Sequence, residues 1–195
     1  MKQPYKIGLT GGIGAGKSTI SQILKTLQVP VYNSDIFAKQ LYSKPNIVSI
    51  LQKKFGPNII SKKRVDTRKL AQIVFNNKNH LKSLNDIIHP IVLNNFNDWY
   101  NKQTTQYIIK ESALLFESGT AKDLDKIILV YTPLKLRINR VIKRDKRNEK
   151  EVKKIIKNQA QYKKIKHKAD YIILNNEKKL LVPQILKIHN EIIQL

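Results

Sequence analysis

The residue types best suited to chemistry stand close together in Gly11-Gly12-Ile13-Gly14-Ala15-Gly16-Lys17-Ser18-Thr19, which reads G-x-x-x-x-G-K-[ST]. Glycines carry no Cβ, so their backbone can turn N–H groups inward and approach a polyphosphate closely. Lys17 can then reach the terminal phosphates and Ser18 can offer its hydroxyl to Mg²⁺. The amides opening the next helix add the positive end of its dipole. The expectation is a triphosphate cradle. A glycine-rich turn that binds nothing would need one or two glycines and would have no use for Lys-Ser after them.

Carboxylates and arginines further along could complete such a site. Asp35, at the end of Val29-Pro30-Val31-Tyr32-Asn33, could accept a proton from an attacking hydroxyl or hold Mg²⁺ through water. Equally, Ser34 or Asp35 could be an N-cap for the following helix. Glu111 is a candidate metal-ordering acid just past a strand, and Glu117 could be solvated or capping. Arg137, Arg140 and Arg144 fall at i, i+3 and i+7, on one helical face. They suit a basic flap closing over phosphates, or else a surface stripe paired with Asp145, Glu149 and Glu151. Arg64 and Arg68, four apart, could grip an anion or form a solvated face. His89, before Pro90, could touch substrate or be a buried histidine with its hydrogen bond satisfied.

These groups need an α/β frame to bring them together. Tyr5 to Thr10 reads as a strand leading into the glycine loop, and apolar residues at 20, 23, 24 and 27 read as the helix after it. Residues 29–33 predict a second parallel strand, and strand ends in open α/β sheets share a crevice, which puts Asp35 across from the loop. Residues 44–104 read as an all-helical insertion. It has a turn at Phe55-Gly56-Pro57-Asn58, a helix over 66–75 capped by Asp66, and a longer one from His80 to Tyr100 interrupted at His89-Pro90. Gln106 to Ile109, Lys126 to Tyr131 and Ala169 to Leu174 supply further strands, the middle one apolar enough to be buried on both faces. Pro133 opens the arginine helix. Residues 159–168 read as helical and lysine-dense, and the tail from Glu177 as a helix that tolerates Pro183 only in its first turn.

Composition narrows the classes. A chain of 195 residues suffices for one α/β domain with subdomains, and the lack of cysteine removes disulfides and thiolate metal sites. Met1-Lys2-Gln3-Pro4 leads straight into the first strand without a signal-like segment, and no apolar run approaches a membrane span, so a soluble cytoplasmic protein is expected. The formal net charge of +23 makes nucleic-acid binding a rival. However, the lysines are dispersed and aromatics make up only 7%, which argues against a basic patch interleaved with stacking rings. Only six arginines occur, and their planar forks are the better guide to anion sites.

The ordered set of residues resembles the dephospho-CoA kinase family over nearly the full chain. It comprises Leu9 to Thr19, Asn33-Ser34-Asp35 with Ala38, Arg68 with Ile73-Val74-Phe75, and Leu84 to Pro90. It continues with Leu114-Leu115-Phe116-Glu117, Arg137, Arg140, Arg144-Asp145, Gln159, and Ala169-Asp170 with Ile172 and Asn175. The resemblance implies a P-loop NTPase fold, three-layer αβα with a parallel sheet, a core at about 1–35, 105–136 and 169–195, a helical CoA-binding insertion at about 36–104 and a lid at about 137–168. It implies ATP as co-substrate on Gly12, Ile13, Gly14, Ala15, Gly16, Lys17, Ser18 and Thr19, with Arg140 and Arg144 in the lid. It also implies 3′-dephospho-CoA held by Thr10, Asp35, Arg68 and His89, with Asp35 and Lys17 catalytic and Mg²⁺ on Ser18, Glu111 being a weaker choice. No membrane or specific nucleic-acid partner is expected, and the chain should be a monomer or weak homo-oligomer. The family usually carries Asp-Ala-Asp where Asn33-Ser34-Asp35 stands, so one carboxylate is missing, and Ala113 replaces a frequent proline. Another small-molecule kinase on the same scaffold is the nearer rival.

Overall fold

A computed structural model describes residues 3–74, 76–159 and 161–195. Phe75, part of the pattern above, and Ala160, in the lysine-dense stretch, lie outside the described residues, as do Met1 and Lys2. The chain divides into two compact units, Met1–Asn33 with Trp99–Leu195, and Ser34–Asp98.

The first unit is built on a parallel sheet of five strands: β1 (Tyr5–Thr10), β2 (Val31–Asn33), β5 (Tyr107–Glu111), β6 (Lys126–Tyr131) and β7 (Tyr171–Leu174). Their order across the sheet is β2-β5-β1-β6-β7. From β1 the chain crosses to one side for β2 and β5 and to the other for β6 and β7. Beyond the carboxyl end of β1 the connections therefore diverge, which opens a crevice at the glycine loop. Central strands carry β-branched and aliphatic runs because both faces are covered: Ile7, Leu9, Ile109, Ile128, Val130 and Ile173 are all buried. Helices α1 (Lys17–Thr26) and α9 (Leu181–Ile192) contribute Ile20, Leu24, Ile185, Ile188 and Ile192 to the same core. Pro183 lies in the first turn of α9, where its missing N–H costs nothing. Three further helices follow the crossing to β6: α6 (Leu134–Asp145), α7 (Glu149–Lys157) and the four-residue α8 (Tyr162–Ile165).

The second unit contains α2 (Ser34–Leu41), α3 (Pro45–Phe55), β3 (Ile60–Ser61), β4 (Arg64–Val65), α4 (Thr67–Val74) and most of α5 (Lys78–Tyr100). Its own core gathers Leu41, Ile47, Leu51, Ile59, Val65 and Leu70 with residues of α5. Two expectations are corrected here. The insertion is not all helical, because β3 and β4 form an antiparallel hairpin whose loop, Lys62-Lys63, has φ of 49° and 61°. Two positive φ values are what a tight two-residue hairpin loop needs, but the usual signal for it is Asn-Gly, and two lysines conceal it. Nor is the long helix interrupted: α5 runs 23 residues with Pro90 inside. Proline there forfeits one backbone hydrogen bond, while turns on both sides continue the rod. The capping role read for Asp66 is present, its Oδ1 accepting from the N–H groups of Arg68 and Lys69 at 2.9 and 3.2 Å.

Candidate functional site

The glycine loop owes its shape to where its carbonyls point. Gly11, Gly14 and Gly16 have φ of 150°, 77° and 93°, values that an L side chain resists. The bend turns successive carbonyls onto donors. Lys17 Nζ donates to Gly11 O at 2.9 Å and the Ala15 N–H to Gly12 O at 3.0 Å. Arg137 Nε donates to Ile13 O at 2.9 Å. Ala15 O accepts twice, from Thr132 Oγ1 at 2.9 Å and Asn175 Nδ2 at 2.8 Å. At the start of α1 the N-cap is Gly16, which brings no side-chain acceptor for the first-turn amides. With these carbonyls taken by protein donors, the uncapped first-turn amides of α1 are the groups that could receive an anion.

Neighbouring protein atoms, two side chains and one backbone carbonyl, explain three of the glycines. A Cβ on Gly12 would stand 1.9 Å from Arg137 Nη2, one on Gly14 2.6 Å from Arg137 O, and one on Gly16 2.2 Å from Asn175 Nδ2. The sequence suggests glycine for the sake of a phosphate; the fold adds protein neighbours that leave no free room for a Cβ.

The three stripe arginines serve different ends. Arg137 is tucked against the loop, donating to Ile13 O and, from Nη2, to Gln159 Oε1 at 3.3 Å, and burial pulls its guanidinium below the usual arginine range. Arg140 Nη2 reaches Asn175 Oδ1 at 3.3 Å and Glu177 Oε1 at 3.0 Å, so it joins the loop through Asn175. Arg144 is exposed and pairs with Asp145 at 2.7 Å. Of the partners expected for a surface stripe, Asp145 is found. Glu149 pairs instead with Lys153 at 2.8 Å, and Glu151 closes a capping box with Asn148 at the start of α7.

Two oxygen groups that could serve a hard cation stand on α1 and at the end of β5. Ser18 is exposed in the first turn of α1, while Glu111, the last residue of β5, is 3% exposed and accepts from Ser21 Oγ at 2.7 Å. Glu111 is in register with Leu9 of β1 and with Asn33 of β2. A hydroxyl and a carboxylate suit Mg²⁺, which keeps several waters and takes the rest of its ligands from phosphate. No cluster of three or more His, Cys, Asp or Glu that could hold a metal occurs among the described residues. Thr10 is buried at the carboxyl end of β1.

Comparison with known proteins decides among the kinases that share such a loop. The dephospho-CoA kinase family model matches residues 5–180. The chain belongs to the dephospho-CoA kinase family. A Fusobacterium nucleatum protein named dephospho-CoA kinase is 43% identical over 171 residues, 87% of this chain and 89% of that protein. The solved dephospho-CoA kinase from Campylobacter jejuni has 27% identity and a TM-score of 0.69, covering 97% of each chain. A crystal structure from Thermus thermophilus has 29% identity and a TM-score of 0.86 over 97% of this chain and 98% of that one. A P-loop kinase fold follows, and no helix among the described residues is long and apolar enough to cross a membrane.

Within this dephospho-CoA kinase family frame, the remaining candidates belong to the second unit. Asp35 is the second residue of α2 and half-buried, two positions past Asn33 at the end of β2. Ser34 begins that helix with its hydroxyl buried and without a hydrogen-bond partner, so the capping alternative fails for Ser34. Arg68 is exposed in the first turn of α4, whereas Arg64 lies on β4; their spacing of four does not put them on one helix. His89 is half-buried on α5, and burial lowers its pKa, partly offset by the charge of Asp86. Residue-by-residue reading missed Thr132, Asn175, Gln159 and the loop-facing role of Arg137. Thr132 follows the end of β6 at the crevice, a positional clue; Asn175 and Gln159 stood in the family pattern without a task.

Proposed function

We propose that this chain transfers the γ-phosphoryl group of ATP to the ribose 3′-hydroxyl of 3′-dephospho-CoA, giving ADP and coenzyme A, the last step of coenzyme A synthesis. The observation that carries the proposal is the family match over residues 5–180. The first-turn amides of α1, which no side chain caps, supply the physical means. Phosphoryl transfer asks little covalent work of a protein, so positioning and neutralisation of charge provide the catalysis.

Gly12 to Thr19 would surround the β- and γ-phosphates, with Ile13 acting by holding the bend, since its N–H donates to Gln159 Oε1 at 2.9 Å. Lys17, 8% exposed and parked on Gly11 O, would swing its ammonium to hydrogen-bond the phosphate oxygens as charge develops there. Asp35 would take the 3′-hydroxyl proton as that oxygen bonds to phosphorus and the bond to the ADP oxygen breaks. Arg140 and Arg144 would serve the ATP side, and Thr10, Arg68 and His89 the dephospho-CoA side. Ser18, with Glu111 as the second donor, would hold Mg²⁺, which when bound neutralises phosphate charge. With Asn33 in place of the usual aspartate, Glu111 is the strand-end carboxylate that remains in that register. A cytoplasmic monomer or weak homo-oligomer completes the reading.

The test is ADP release from ATP with and without 3′-dephospho-CoA, with the new phosphate located by NMR. Turnover that depends on the acceptor and marks the ribose 3′-oxygen is expected; turnover with a nucleoside or shikimate instead would overturn it.

A further inference from the structure

Both backbone polar groups of Ile13 are taken by side chains more than a hundred residues away. Gln159 Oε1 accepts the Ile13 N–H at 2.9 Å, Arg137 Nε donates to Ile13 O at 2.9 Å, and Arg137 Nη2 closes the ring to Gln159 Oε1 at 3.3 Å. The Ile13 side chain is held in the same place, packed against Ile138, Val141 and Val152 of α6 and α7. Gly12 is outside the left-handed region, so its backbone alone would accept alanine. What a Cβ there would meet is the guanidinium of Arg137, the far end of a side chain that would have to shift to admit it.

We infer that position 12 is glycine to seat Arg137, and that Arg137 and Gln159 are positioning residues that set the nucleotide loop by clamping the Ile13 backbone on both sides of its Cα. The inference rests on the nucleotide role proposed above. An alanine methyl at position 12 can be admitted only if the guanidinium swings away, which releases Ile13 O and the second donor to Gln159. Gly12→Ala and Arg137→Met therefore break the same contact by different routes, and their effects must not multiply. A glycine needed for phosphate approach predicts the opposite, because the methyl would then act on the nucleotide and the arginine on the loop.

The experiment is calorimetric binding of a β,γ-imido ATP analogue to full-length protein, with melting temperatures measured alongside. Gly12→Ala and Arg137→Met should each weaken binding roughly tenfold, the order of one charge-assisted hydrogen bond. The double variant should be no weaker than the worse single one. Gln159→Leu should fall likewise, whereas Gln159→Glu, whose carboxylate accepts from both donors, should stay close to wild type. Losses that multiply to about a hundredfold in the double variant, or a Gly12→Ala protein that binds like wild type, overturn the clamp. Amide exchange at Ile13, measured without nucleotide, reads the clamp independently. It should quicken in Gln159→Leu and Arg137→Met, and unchanged exchange in both sinks the inference. A wild-type protein that ignores the analogue yet shows quickened exchange in those variants would overturn the kinase reading and leave the clamp standing.

Discussion

The glycine loop and the unit from Ser34 to Asp98 are held together by contrasting means. Around the loop, side chains from Thr132, Arg137, Gln159 and Asn175 reach across more than a hundred positions to fasten single backbone atoms. In the other unit, distant segments meet through apolar side chains such as Leu41, Leu51, Val65 and Leu84. Side-chain hydrogen bonds there include short-range ones, as from the Arg68 and Lys69 amides to Asp66. The contrast teaches where each kind of substitution should register. Polar anchors fix directions, so their loss should show in turnover; apolar contacts exclude water, so their loss should show in stability.

Lys17→Ala offers the largest test. It should cut kcat on the order of a thousandfold by removing one preorganised cation, with the urea midpoint almost unmoved. A variant retaining wild-type turnover would end the cradle assignment. Leu51→Ala should behave in the reverse manner. Leu51 is fully buried, so truncation should cost about 3 kcal/mol in urea unfolding while the surviving folded enzyme keeps its kcat. Should its kcat collapse instead, the division of labour drawn here is wrong. Asp35→Ala probes the point where the contrast is weakest, an acid on the insertion that is assigned to chemistry. A loss of about a hundredfold in kcat with normal melting is expected, as for a missing general base. The smallest effect concerns His89. Burial lowers its folded pKa from 6.5, so the unfolded chain binds the proton first as pH falls. Its contribution to stability is full above pH 6.5 and declines below that until the lowered folded pKa is reached. Urea unfolding at pH 7.5 and 5.5 should show a shallower decline in His89→Gln than in the parent.

Legibility in the sequence follows the same division. The loop, β1 and β6 were readable because their signals are local: a spaced motif, and runs such as Lys126 to Tyr131 that match the observed strand at both ends. The hairpin at Ile60–Val65 was hidden because Lys62 and Lys63 adopt left-handed backbone without glycine or asparagine to announce it. Pro90 misled in the other direction, since packing along α5 outweighs one lost hydrogen bond. The anchors of the loop were illegible for a plainer reason: a threonine, a glutamine and an asparagine declare nothing until the fold brings them to Ala15 and Ile13. Arg137 was grouped with Arg140 and Arg144 by helical period, yet period assigns a face and not a contact.

The fastened carbonyls of the glycine loop bear on when its entropy is lost. Gly11, Gly14 and Gly16 take up unusual dihedrals at the moment the sheet and helices assemble, so that cost is charged to folding. A triphosphate bound as proposed would meet a loop already fastened and surrender less flexibility of the chain on arrival, leaving more of its contact energy for affinity and for the step that follows.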